Sequence, residues 1–442
     1  MSWQSSLLSR RQLLRVGAVS TAYSVSGWMG DLARASAHSE AKIKPKRACI
    51  LLWMFGGPAT IDLWDLKPGH ENGGPFKEIA TNVPGLKISE HLPKIAKFGD
   101  QLAILRGMST KEGDHGRGTY LMRTGLLPSA AGIQYPSIGS LVSKEIGNPT
   151  AELPNFVSIA PLRFFGSEAF GPGFLGPQYG PLIVADGASR QRGGNIDALL
   201  KVQDLDRPKD IEDPTAAARL DLLRVAQEEF AADHPGVITK SHATAYDRAV
   251  RLMQSAGGKV FDLTQEKPAV RDRYGRNLFG QGCLLARRLV ERGVSFVEVS
   301  LSNWDTHQNN FDLLKPLCAN LDAAWSALMS DLKDRGLLDT TTIIWMGEFG
   351  RTPKINGQKG RDHWATSWST VIAGGGVKGG QAIGKTSNDG TTVVDHPVSS
   401  ADLLATVCKV LKIDPEKQNM SNVGRPIPVA DRGSIPVMEV VA

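Results

Sequence analysis

The sequence has little cysteine, and this excludes a disulfide framework and a thiolate metal site. Only four of the 442 residues are cysteines, and no two of them have the CxxC spacing of a zinc ligand pair. A chain of this size can bury a large core and needs no cross-links to fold. We therefore expect all four cysteines, which lie in apolar surroundings, to be buried free thiols.

Long hydrophobic runs and basic stretches are also missing. The apolar run 16–29 is interrupted by Ser and Gly, and it is shorter than the roughly 20 residues that a membrane-spanning helix needs. The formal charge is +6, but the first 37 residues carry +3 of it. No basic run alternates with aromatic residues, as a nucleic-acid groove would require. We therefore predict no stable membrane span and no nucleic-acid partner.

The first 37 residues have the order of an export signal. Arg10 and Arg11 precede two leucines and a third basic residue, and Ala35-Ser36-Ala37 offers a small-x-small cleavage site. We predict a twin-arginine signal peptide over 1–37, the twin-arginine export machinery as a partner, and a periplasmic or extracellular mature protein. The alternative is an ordinary basic N-terminal helix.

Residues 38–442 show the alternation of strands and helices that is typical of one large α/β domain. Residues 48–54 are a continuous apolar run, as in a strand buried on both faces of a parallel sheet. A strand, a long amphipathic helix and a strand fill 295–346, which predicts a βαβ crossover. Residues 161–275, a Gly/Pro-rich loop followed by polar helices, are predicted to be an insertion or cap. Further strands are predicted at 101–106, 155–160 and 369–373, and further helices at 213–233, 242–256, 280–292 and 401–411.

Polar residues follow the strands of this predicted sheet and should meet at one rim, because ligands of doubly wound sheets bind beyond the carboxyl ends of the strands. The three groups are Asp305 with His307, Glu348 with Arg351, and Asp362 with His363. A structural role explains each residue taken singly, as a helix cap, a turn partner or a loop histidine. Together, two histidines and three carboxylates at one edge predict a metal site. Without thiolates, the candidates are zinc, manganese, iron, calcium or magnesium.

Two glycine-containing segments are further candidates. Gly56 and Gly57 follow the first strand and could expose backbone N–H groups to an anion, although such turns also arise for local reasons. Asp62, just beyond this turn, is a further candidate to reach the metal. His115 lies at the start of a helical pattern, where anions bind. It is a base, a nucleophile or a ligand, or else only a histidine of the capping region.

Several motifs carry a resemblance to a known family. They are the twin-arginine leader, GGPATIDLWDLKPG, HGRGTYLMRTG, WDTHQNNF, GEFGRTP and GRDHW. The chain resembles the exported proteins grouped as domain of unknown function 1501, which are similar in turn to the alkaline phosphatase and sulfatase superfamily. The resemblance implies a three-layer α/β/α sandwich with a mainly parallel central sheet and a partly helical insertion. It also implies hydrolysis of phosphate or sulfate esters with bound divalent metal ions.

Carried over residue by residue, the resemblance implies that Asp305, His307 and His363 bind the ion. Glu348 or Asp362 would complete the shell. Phe349 stands where the superfamily has a histidine for a second metal, so one ligand of that site is lost.

The nucleophile of sulfatases falls at His115, and the formylglycine route is therefore closed to this chain. His115 would act as base or nucleophile, with Glu348 and Arg351 as further catalytic residues. The turn of Gly56, Gly57 and Thr60, with Arg351 or Arg117, would hold the anionic group of a small-molecule or glycan ester.

Two rival functions remain at this point. One is a catalytically inactive binding or scaffold protein on the same fold that recognises anionic glycans, for which the missing nucleophile is the best argument. The other is an isomerase or mutase of the same superfamily, which ranks last because it also needs a hydroxyl nucleophile.

Overall fold

The computed structural model describes residues 47–442, apart from 165, 187–194, 203, 204, 206, 235 and 255. The predicted signal peptide lies outside these residues. None of the helices within the described ranges combines the length and the apolar character that crossing a membrane requires.

The strands within these ranges are, in chain order, β1 (Ala48–Met54), β2 (Glu78–Ala80), β3 (Lys87–Ser89), β4 (Leu102–Met108), β5 (Phe156–Ile159), β6 (Leu182–Val184), β7 (Phe296–Leu301), β8 (Thr341–Met346), β9 (Gly350–Arg351), β10 (His363–Trp364), β11 (Trp368–Gly374), β12 (Gln381–Ile383), β13 (Lys385–Thr386), β14 (Val393–Asp395), β15 (Gln418–Met420) and β16 (Pro426–Pro428).

Eight of these strands form a central sheet in the order β12-β4-β11-β8-β1-β7-β5-β6. Only β11 pairs antiparallel with its neighbours, and the other pairs are parallel. The crossover predicted over 295–346 exists, but β1 lies between β7 and β8 and pairs with both. The carboxyl ends of β1, β7, β8 and β5 therefore share one edge of the sheet.

The α-helices in the same ranges are α1 (His115–Thr124), α2 (Ile138–Glu145), α3 (Ile196–Leu199), α4 (Asp213–Asp233), α5 (Val237–Gln254), α6 (Pro268–Tyr274), α7 (Leu278–Glu291), α8 (Asn310–Asp334) and α9 (Ser400–Val410).

Helices cover both faces of the sheet, and the alternation along β1 shows why. All seven residues of β1 are buried. Ile50 and Leu52 belong to the apolar cluster that includes α7 and α8, whereas Leu51 and Trp53 belong to the cluster that includes α1, α2 and α9. Because successive side chains point to opposite faces, a continuous apolar run is what a double-covered strand needs. The predicted mainly parallel α/β fold is confirmed.

The remaining predictions differ from the structure in detail. Every predicted strand is present in the central sheet, with ends shifted by at most two residues, but β6 and β12 were missed. β6 lies within 161–275 and pairs with β5, so this segment is not wholly an insertion outside the sheet. Its helix α4 has no buried residue. All four cysteines are free and buried, as predicted.

A buried ion pair fixes α1 against the sheet. Asp114 caps the helix by accepting a hydrogen bond from the N–H of Arg117, and Gly125 ends it in the left-handed conformation. Near its carboxyl end, Arg123 pairs with Glu298 of β7, and both side chains are fully buried. The pair joins the last turn of α1 to β7.

Removal of one partner of this pair should destabilise the fold strongly, because the other charge would stay buried without compensation. We expect Arg123→Ala to lower the free energy of unfolding by about 3–5 kcal/mol in urea denaturation. The control Arg224→Ala breaks an exposed pair with Asp221, and it should cost less than about 1 kcal/mol. Similar losses for the two variants would contradict this assignment.

Candidate metal centre

Four polar side chains converge at the carboxyl edge of the sheet. His115 is the first residue of α1, Asp305 and His307 follow β7, and His363 begins β10. One ligand atom from each of His115, Asp305 and His363 lies within 4.8 Å of the others. His307 joins them, since its Nε2 is 3.1 Å from an oxygen of Asp305 and 3.0 Å from Nε2 of His363.

All three histidines are oriented in the same way, with Nδ1 against an oxygen and Nε2 facing Asp305. In each case Nδ1 is 2.7 Å from its acceptor, and the pairs are His115 with Glu348, His307 with Asp362, and His363 with the carbonyl of Gly113. An oxygen acceptor at Nδ1 keeps the proton there and leaves the Nε2 lone pair available. This is the usual arrangement of histidines that bind metals.

The spacing of the Nε2 atoms fits a bound cation. With both protons on Nδ1, the Nε2 atoms of His307 and His363 present lone pairs to each other at 3.0 Å, which is repulsive unless a positive charge lies between them. Two ligands of one tetrahedral ion lie roughly 3.3 Å apart, because each metal–nitrogen bond is near 2.0 Å. Oxygens of Asp305 lie 3.3 Å from His363 Nε2 and 3.4 Å from His115 Nε2. The donor set therefore fits a divalent metal.

The carboxylate of Asp305 is held by a buried guanidinium. Arg351, whose side chain is fully buried, hydrogen-bonds to Asp305 and to the carbonyl of Gly56. It also donates to the carbonyl of Gly57 over 2.8 Å and to that of Arg361 over 3.2 Å. All these contacts use the guanidinium to position protein groups. The structure therefore leaves Arg351 little capacity for the predicted catalytic or anion-holding role.

The proton equilibria of the cluster reflect these contacts. Partial burial opposes ionisation of Asp305, but its contacts with His115 and His363 and the charge of Arg351 hold its pKa well below the usual range. Burial works in the same way against charge on His115, yet its hydrogen bonds to Asp305 and Glu348 raise its pKa to about 9. In the metal-free protein, a proton therefore occupies part of the place that a cation would take.

Gly56 is required by a close approach of two backbone segments. Its φ is +114°, and a Cβ there would lie 2.4 Å from the backbone nitrogen of Asp305. Its N–H donates to the carboxylate of Glu348 over 2.8 Å. The N–H is thus used within the protein, which corrects the prediction that it binds an anion.

The neighbouring groups of that turn are also engaged. The N–H of Gly57 points to the carbonyl of Met54 at 3.4 Å, and Thr60 is buried, with its hydroxyl accepting from the N–H of Ser369 at 3.2 Å. The predicted anion-binding turn is therefore a structural element. Arg117 differs, because its side chain is 66% exposed and pairs with Glu112.

Several predicted roles are exchanged in the structure. His115, predicted as base or nucleophile, supplies an Nε2 to the candidate ligand set. Glu348 and Asp362, predicted to complete the metal shell, instead accept hydrogen bonds from histidine Nδ1 atoms. Glu348 is fully buried, so it lies behind His115. Asp62 does not reach the site, because it is fully buried in an ion pair with Arg361.

Sequence reasoning missed two contributors to the site. The carbonyl of Gly113 orients His363, and a backbone acceptor leaves no side-chain signal to find. Phe349 was read only as a lost ligand, but its ring packs against two imidazoles, with centroids 5.0 Å from His115 and 4.6 Å from His363. The ring excludes water from one side of the cluster and limits the movement of both histidines.

Fold and site together define an α/β protein with a candidate metal centre at the carboxyl edge of its sheet. The chain belongs to the family described as "Protein of unknown function (DUF1501)", whose model matches residues 46–441. No curated protein matches the chain.

The chain is distantly similar to several solved structures. One is the lipoteichoic acid synthase LtaP from Listeria monocytogenes, at 10% identity and a TM-score of 0.40, with 90% of this chain and 77% of that chain covered. Another is the PsFucS1 sulfatase from Pseudoalteromonas sp., at 15% identity and a TM-score of 0.41, covering 87% and 71%. A third is the phosphonate monoester hydrolase SpPMH from Silicibacter pomeroyi, at 12% identity and 0.37, covering 84% and 74%.

Metal affinity should depend on pH through His115. Its pKa is raised to about 9 in the metal-free protein, so below this pH a metal must displace a proton. Affinity should rise about tenfold per pH unit from pH 7 and level off near pH 9, as measured by chelator competition with zinc. Glu348→Gln removes a negative charge that favours protonated His115. In this variant the metal affinity should therefore stop rising at a lower pH.

The control for this variant is Asp312→Asn, which changes an exposed carboxylate on α8 and should leave the pH profile unchanged. If the metal affinity of the unaltered protein were constant from pH 7 to 9, the metal would not be displacing a proton from His115.

Proposed function

We propose that this protein is a metal-dependent hydrolase of phosphate or sulfate esters. The observation that carries the proposal is the convergence of three histidine Nε2 atoms on Asp305, with every Nδ1 held by an oxygen. Such an arrangement has little structural value, because it concentrates lone pairs and charge at one partly exposed place. It is suited to binding a cation that acts on an anionic substrate.

The donor set favours a first-row transition metal. Three imidazoles and one carboxylate suit zinc or manganese better than calcium or magnesium, which prefer oxygen ligands. A divalent ion held there would act as a Lewis acid on the ester and lower the pKa of water.

The residues of the cluster favour attack by water in a single step. It contains no Ser, Thr or Cys, and all four cysteines are buried elsewhere. His115 is engaged at both nitrogens and cannot serve as the nucleophile. A bond would form between the water oxygen and phosphorus or sulfur, the bond to the ester oxygen would break, and the proton from water would leave with the alcohol.

Arg117 is the predicted anion-binding group that remains available. It lies in the first turn of α1, next to the ligand His115, and its guanidinium is largely exposed. If non-bridging oxygens of a negatively charged ester replaced the Glu112 carboxylate, the charge of Arg117 would remain compensated. We propose that Arg117 holds the non-bridging oxygens of the ester.

Ester turnover is the direct test. Protein loaded with zinc or manganese should hydrolyse 4-nitrophenyl phosphate or 4-nitrophenyl sulfate, lose this activity on chelation, and regain it when metal is restored. If water attacks directly, added glycerol should yield no glycerol ester, because no covalent enzyme intermediate exists to be intercepted. A glycerol ester would contradict the single step but leave hydrolysis itself supported.

A second test of the proposed function replaces one histidine of the centre and one histidine elsewhere. His307→Asn should lower kcat/KM by more than about 100-fold together with the metal content. His396→Asn is the control, because His396 pairs with Asp395 and Glu439 on another part of the surface. Stoichiometric metal without turnover of either ester would favour the binding or scaffold protein that recognises anionic glycans, and absence of metal would reject both the centre and the hydrolase.

We also propose export through the twin-arginine pathway to the periplasm or beyond, which the Arg10-Arg11 motif supports. Replacement of both arginines by lysine keeps the charge and should retain the uncleaved precursor in the cytoplasm, as seen by fractionation and immunoblotting. The control changes Arg15 and Arg34 to lysine and should leave export intact. Export of the first variant would contradict the twin-arginine assignment.

A further inference from the structure

The loop between β9 and β10 docks on the segment that carries His307. The N–H of Asn309 donates to the carbonyl of Gln358 over 3.1 Å. At the same contact, a Cβ on Gly360 would lie 1.8 Å from the carbonyl oxygen of His307, so a side chain there would collide with the main chain. The loop 352–362 therefore touches the main chain of a candidate metal ligand.

One amide of this loop, that of Asn356, contacts His307 in two ways. Its Nδ2 donates to the carbonyl of His307 over 2.9 Å and to Oδ1 of Asp362 over 3.2 Å. The same Oδ1 of Asp362 lies 2.7 Å from Nδ1 of His307. Asn356 thus acts on the main chain of His307 directly and on its imidazole through the Asp362 carboxylate.

The other end of this amide fixes which way it faces. Its Oδ1 accepts hydrogen bonds from the N–H groups of Gln358 over 3.0 Å and Gly360 over 2.9 Å. Since a main-chain N–H can only donate, the amide oxygen must face these two groups, and the NH2 group must face His307 and Asp362. The oxygen therefore supports the loop, whereas the NH2 group serves the metal centre. A variant can remove the second task and keep the first.

Among the three histidines of the centre, His307 has the acceptor that most needs such support. The side chain of Asp362 is 53% exposed, whereas Glu348 behind His115 is fully buried and His363 uses a main-chain carbonyl. Packing holds a buried carboxylate in place, but an exposed one can turn into water and gains little from a single ion pair. The side chain of His307 is itself 42% exposed. A second donor to Asp362 therefore restricts a ligand that packing leaves free to move.

We propose that Asn356 is a positioning residue that holds His307 ready to bind the metal. The inference rests on the proposed function, because it needs His307 as a metal ligand. Without the NH2 group, Asp362 could rotate away into solvent, and the imidazole would lose the acceptor that keeps the proton on Nδ1. Its Nε2 would then face Asp305 less often with a free lone pair, and the protein would bind metal more weakly.

Asn356→Asp tests this role, because the two side chains have nearly the same shape. The carboxylate still accepts from Gln358 and Gly360, but it replaces the NH2 donor by an oxygen that repels Asp362. Cobalt(II) is the probe, and high salt screens the added charge. The variant should bind cobalt about 10-fold more weakly in chelator competition, with altered visible absorption bands of the bound ion. The Tm of the metal-free protein should be unchanged, because the loop contacts remain.

The double variant Asn356→Asp with Asp362→Asn exchanges the two groups. It keeps the total charge of the pair and restores one donor and one acceptor between them, so it should recover part of the lost affinity. The matched control is Asn422→Asp, since Asn422 is an exposed asparagine on the turn between β15 and β16, where its amide donates to the carbonyl of Gly132 over 3.3 Å. This control should bind cobalt as the unaltered protein does.

Cobalt affinity and absorption bands in Asn356→Asp equal to those of the unaltered protein would overturn the positioning role, while the metal centre and the hydrolase proposal would stand. A lower Tm with unchanged cobalt binding would overturn it too, since Asn356 would then support only the loop. If the double variant recovered no affinity, the contact between the two side chains would not be what positions His307, and the proposal would again fall. If the unaltered protein binds neither cobalt nor zinc, the proposed function itself fails.

Discussion

The guanidinium of Arg351 joins parts of the chain that are far apart in sequence. Its donors reach the turn after β1, the carbonyl of Arg361 and the carboxylate of Asp305. A buried arginine requires several acceptors and a negative charge, and here these requirements are met only when the segments meet at the carboxyl edge. The position of Asp305 then directs the histidines, because it is the group that all three Nε2 atoms face. The buried charge of Arg351 thus positions Asp305, around which the candidate centre is arranged.

The second organising feature is the use of a different acceptor behind each imidazole. Glu348 is buried, Asp362 is exposed, and the carbonyl of Gly113 is uncharged. All three fix the same tautomer, but they add unequal negative charge to the ligands. A buried carboxylate strengthens the donor character of its imidazole most. His115 should therefore be the strongest of the three candidate nitrogen ligands. The sequence alone had left its role the most open of the three.

Much of the fold and part of the site could be predicted from the sequence. Continuous apolar runs identified the longer buried strands, whereas β6 and β12 have only three residues each and are partly exposed, so they are too short to stand out from the loops around them. Asp305 and His307 follow β7 at the carboxyl edge of the sheet, as predicted, and His363 meets them there from β10, which pairs with β9 outside the central sheet. The roles of Glu348, Asp362 and Arg351 were not predictable, since sequence shows which groups are present but not which atoms face one another. Gly56 was misread because its N–H meets a carboxylate 292 residues away.

The pairing of β1 has a consequence for the order of folding. Its neighbours β7 and β8 are separated from it by well over 200 residues, with Cys49 opposite both Phe296 and Thr342. A strand buried on both edges by such distant partners cannot be stable while the ribosome is still making the first half of the chain, since closing these loops is costly before the contacts form. His115 is synthesised early, yet its companions arrive only with the last third. The four side chains of the candidate centre can therefore meet only late in the life of the nascent chain.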